Sequence, residues 1–83
     1  MNESDARIAG FVRGSIPRSI RQPDNAGLVS RALARSRCRL RWWGETQHAS
    51  DTLAAENLNH ITKICAEVTL RLLPRSNLAA RVQ

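Results

Sequence analysis

A chain of 83 residues with 13 basic and 7 acidic side chains carries a formal charge of +6. That length makes at most one domain and excludes a large enzyme with a deep pocket. No uninterrupted apolar run exceeds three residues, far short of the roughly 20 that a membrane-spanning helix needs.

Twelve of the basic residues are arginine, and Lys63 is the single lysine. Guanidinium groups fork onto phosphates and stack on bases, but GC-rich coding also favours arginine over lysine. The position of the charge is more informative than its total. Residues 1–23 carry net +2, residues 24–44 net +4 and residues 45–83 net 0.

Residues 1–23 contain Gly10, Gly14, Pro17 and Pro23, which interrupt a long helix. They predict an irregular or disordered N-terminal segment ahead of a small helical domain over residues 24–83. Within that segment Ile8, Phe11 and Val12 can make one apolar helical turn, and Ile16 and Ile20 can tack the chain onto a core. Asp24 and Asn25 offer an N-cap for the next helix.

Residues 26–43 predict a basic amphipathic helix. At about 100° per residue, Val29, Ala32, Leu33, Ser36, Leu40 and Trp43 fall within one arc of about 100°. Arg31, Arg35, Arg37, Arg39 and Arg41 fall outside it. The last four also alternate with Ser36, Cys38, Leu40 and Trp42, which is the period of a strand. The helical pattern is longer and prevails. Gly44 stands where a glycine ends a helix.

Residues 51–73 predict a second helix. Ala54, Leu58, Ile61, Ile64, Cys65, Val68 and Leu72 share one face, and Glu56, Asn59, His60, Lys63 and Glu67 share the other. Ser50 or Asp51 can cap its start, and Pro74 ends it by disfavouring α geometry at Leu73. The tail can add a short turn through Leu78 and Val82. Each helix has one apolar stripe and must bury it, so the expected fold is all-α, a helical hairpin bent near residues 44–50.

The chemistry expected of this chain is binding. Five arginines within 11 residues, beside Trp42 and Trp43, can neutralise phosphates of DNA or RNA. The run from Arg35 to Trp43 resembles the arginine-rich helices that some RNA-binding proteins place in RNA grooves. Arg31, Arg35, Arg37, Arg39, Arg41 and Trp42 are therefore the candidate nucleic-acid-binding residues. Trp42 would stack on a base, while Trp43 lies on the core arc. A basic amphipathic helix with a tryptophan also suits a membrane surface. A protein partner or a homodimer would instead dock on Leu58, Ile61, Cys65, Val68 and Leu72. A product without a specific biochemical activity would need neither surface.

Catalysis and cofactors are not expected. Cys38, His48, His60 and Cys65 are the only Cys and His residues, and none falls at Cys-x-x-Cys or His-x-x-x-His spacing. Cys65 reads as a small buried hydrophobe. Glu3 and Asp5 stand where a secretory leader is positive, and two cysteines make no disulfide scaffold, so the expected location is cytoplasmic.

Overall fold

The computed structural model describes residues 3–20 and 26–73. Every regular element among them is helical. In chain order these are α1 (Glu3–Ser15), a 3₁₀ turn (Arg18–Ile20), α2 (Ala26–Thr46), a second 3₁₀ turn (Ala55–Asn57) and α3 (Leu58–Leu72). The chain is all-α, and each of the three helices touches the other two. Residues 35–42 are helical throughout and do not form a strand.

Over residues 3–15 the chain is helical, where glycine and proline content predicts an irregular segment. Gly10 and Gly14 each cost a helix about 1 kcal/mol relative to alanine. Against that, Ile8, Val12, Ile16 and Ile20 recur at every fourth residue and are all buried. Burial of each such side chain contributes about 1.5–3 kcal/mol, so packing outweighs propensity. Glu3 and Asp5 in the first turn and Arg13 in the last also match the helix dipole. Pro17 stops α1, because Ile16 before it is pushed out of α geometry.

α2 continues through Gly44 to Thr46. The residue that ends it is His48, at φ 53°. The His48 amide donates to the Glu45 carbonyl at 3.3 Å and the Ala49 amide to the Gly44 carbonyl at 2.9 Å. That is the pairing of a Schellman cap, with histidine in the left-handed position usually held by glycine. Gly44 is buried inside the helix.

α3 begins later than the periodicity predicts. The Asp51 carboxylate accepts the Leu53 amide at 3.1 Å, and the Asn57 side-chain amide donates to the Asp51 carbonyl at 3.2 Å. This local turn holds Asp51 in the connector and competes with helix nucleation there. The helical ladder starts at Leu58. At the other end Leu73 is extended, at φ −72° and ψ 137°, as a residue before proline should be. The expected cap at Asp24 and Asn25 and the turn through Leu78 and Val82 lie outside the described residues.

The core is aliphatic. Ile8, Val12, Ile16 and Ile20 from the N-terminal part meet Leu28, Ala32 and Leu40 of α2 and Ile61 and Cys65 of α3, with Leu73 beyond them. α1 and the 3₁₀ turn after it therefore cover the apolar stripes that a two-helix hairpin would leave half open.

Candidate nucleic-acid interface

Burial of Ala32, Ser36, Leu40 and Gly44 fixes the rotation of α2. All five arginines, Arg31, Arg35, Arg37, Arg39 and Arg41, are consequently exposed. They do not form one row. At about 100° per residue, Arg31, Arg35 and Arg39 lie within about 80° of one another, and Arg37 and Arg41 form a second row on the far shoulder.

The two rows border different helices. Arg37 Nη1 donates to Asp5 Oδ1 of α1 at 3.2 Å, a partly exposed ion pair. Arg35 and Arg39 instead line an open groove between α2 and α3, together with Ala34, Cys38, Val68, Arg71 and Leu72. Cys38 stands between the rows and also borders a surface depression lined by Arg37 and Arg41.

Trp42 is 56% exposed, although tryptophan is highly buried on average. The Arg39 guanidinium lies 5.4 Å from its ring centroid, within cation–π range. Trp43 is half-buried and stacks on His60 of α3, with centroids 5.2 Å apart and an interplanar angle of 29°. The structure thus brings Arg39 and Trp42 together and turns Trp43 towards α3.

Arg71 is the residue that sequence reading alone does not place in the site. It belongs to the neutral second half, where it stands out only as the i,i+4 partner of Glu67. Its neighbours Val68 and Leu72 are the available signal, since a side chain beside them on α3 can border the same groove as α2.

Most of the apolar face of α3 that could take a protein partner is turned inward, with Leu72 half-buried. Ile61, Cys65 and Val68 of α3 are buried inside the molecule, and of the expected docking face only Leu58 is exposed. Of the apolar arc of α2, Ala32, Ser36 and Leu40 are buried, and Val29, Leu33 and Trp43 are half-buried. No helix among the described residues is long and apolar enough to cross a membrane. Among the same residues, no group of three or more His, Cys, Asp or Glu side chains converges to hold a metal ion.

Cys38 is exposed, Cys65 is buried, and both are free thiols. Burial pushes the Cys65 thiol above its ordinary range, and a contact with Ser36 works in the other direction. The Ser36 hydroxyl lies beside that thiol without forming a well-made hydrogen bond. Compared with protein-family models, curated proteins and solved structures, the chain matches none.

Proposed function

We propose that this protein binds nucleic acid through α2, without catalysis. One observation carries the reading: α2 presents five exposed arginines against one acid, Glu45, with an exposed tryptophan among them. Arg31, Arg35, Arg37, Arg39 and Arg41 supply phosphate contacts, and Trp42 supplies a stacking face. A positive helix on a rigid support releases counterions when it meets a phosphate backbone, so its affinity depends steeply on salt.

Fluorescence anisotropy with labelled DNA and RNA oligonucleotides tests this. With three to five phosphate contacts, affinity falls about 20- to 500-fold between 50 and 200 mM salt. Replacing Arg35 and Arg39 together by alanine weakens binding and flattens the salt dependence. Absence of binding at the lowest salt would refute the proposal.

A further inference from the structure

The groove between α2 and α3 bears on which form of nucleic acid the arginine face takes, a question that rests on the nucleic-acid reading of α2. Its apolar lining comes from Val68 and Leu72 of α3, the first buried and the second half-buried, with Ala34 and Cys38 of α2. Three exposed arginines also line it, Arg35 and Arg39 from α2 and Arg71 from α3. The Arg39 guanidinium also lies over the Trp42 ring, so an exposed indole stands beside the groove.

We propose that this groove holds an unpaired stretch of nucleic acid, with phosphates on Arg35, Arg39 and Arg71 and bases against the apolar lining and Trp42. A duplex presents phosphates on its outside and hides its base faces in the stack. An apolar lining and an exposed indole therefore offer it nothing that a plain basic face would not. A single strand has free π-faces, and sequence-tolerant sites for it combine a positive track with aromatic platforms. The division of the arginines points the same way. The row facing α1 has Arg37 held by Asp5, while the row facing α3 is reinforced by Arg71. A second copy of the chain is a poor occupant of a cationic groove, because each copy carries +6.

The test compares a short labelled oligothymidylate with a duplex of equal length at matched salt. Four proteins are titrated: the wild type, Arg71→Ala, Trp42→Ala and, as a far-side control, Arg41→Ala. The single strand is expected to bind about tenfold or more tighter than the duplex. Arg71→Ala weakens single-strand binding about five- to tenfold and lowers the salt slope by about 0.7. Trp42→Ala weakens it about five- to 100-fold, and Arg41→Ala has the smaller effect. Circular dichroism establishes that each variant, altered at an exposed position, keeps its helix signal. Equal or tighter duplex binding, with Arg71→Ala indistinguishable from wild type, overturns the groove and leaves the nucleic-acid reading standing. Failure of both oligonucleotides to bind overturns both.

Discussion

The space that a side chain on Gly44 would need is filled by the Cγ2 methyl of Thr52. Gly44 belongs to α2 and Thr52 to the connector after it, so this glycine lets the chain fold back against its own helix. Gly44→Ala gains about 1 kcal/mol of helix propensity but forces an overlap of the kind that costs about 1–3 kcal/mol. The net expectation is a loss of about 1 kcal/mol, read as a thermal midpoint lower by about 4–8 °C. Adding Thr52→Ser removes the opposing methyl and restores most of the loss. A single Gly44→Ala variant that melts at or above wild type would show that the connector does not pack there.

His48 occupies the left-handed cap position four residues later, at φ 53°. A side chain in that conformation costs about 1–2 kcal/mol, of which glycine's greater freedom in the unfolded chain returns part. His48→Gly should therefore stabilise the protein by about 0.5–1 kcal/mol. Chemical denaturation with an unchanged slope and a higher midpoint is the expected result. A lower midpoint would mean that the imidazole makes a compensating contact.

Ser36 is fully buried in the middle of α2, and its hydroxyl makes no well-formed hydrogen bond, only the contact with the Cys65 thiol. A buried polar group left unpaired costs about 1–3 kcal/mol. Ser36→Ala removes that group, improves helix propensity and leaves the backbone spacing unchanged. Stability is expected to rise by up to about 1 kcal/mol. A clear loss in urea denaturation would show that the contact with the Cys65 thiol is worth more than its geometry implies.

Periodicity is most informative where burial is one-sided. Ala32, Ser36 and Leu40 of the α2 arc and the Ile61, Cys65 and Val68 stripe of α3 fall on the core, while Leu28 is buried where the arc has Val29, which is half-buried. It is weakest where two local rules compete. Gly10 and Gly14 read as breakers, but a Cβ on either would meet nothing within 4 Å. Their cost is only propensity, which Ile8 and Val12 override by tertiary packing. Gly44 reads as a cap because nothing in the sequence reveals the approach of Thr52. Asp51 reads as a helix start because an N-cap and an Asx turn use the same bond to the amide two residues on. In the candidate interface, the exposed arginines and Trp42 are legible from α2 alone. The division of the arginines between two neighbouring helices, and the arrival of Arg71, depend on tertiary placement.

Asp5 and Arg37 are 32 positions apart in sequence and paired at 3.2 Å. Exposed ion pairs contribute about 0–1 kcal/mol, and an acid in the first turn of α1 adds a dipole contribution of about 0.3–1 kcal/mol. Asp5→Asn should thus lower stability by about 1 kcal/mol or less. It also removes a negative charge beside the basic face and releases Arg37. Oligonucleotide affinity at low salt is expected to rise about two- to threefold, with a steeper salt dependence. Unchanged affinity in a well-folded variant would mean that the α1-facing row takes no part in binding.

Burial raises the pKa of Cys65, with the Ser36 contact offsetting part of the effect. The folded protein therefore keeps this thiol protonated to higher pH than the unfolded chain does. Below about pH 8 both states hold the proton and the contribution to stability is complete. As pH rises past the ordinary thiol value of about 8.5, the unfolded chain releases its proton first. Stability then falls, with a slope of up to about 1.4 kcal/mol per pH unit until the folded thiol also ionises. The measurement is urea denaturation from neutral to alkaline pH in a Cys38→Ala background, which removes the exposed thiol. Adding Cys65→Ala should flatten the alkaline decline relative to that background. Parallel curves for the two proteins would show that the thiol is as free to ionise in the fold as outside it, and hence that α1, α2 and α3 do not enclose it.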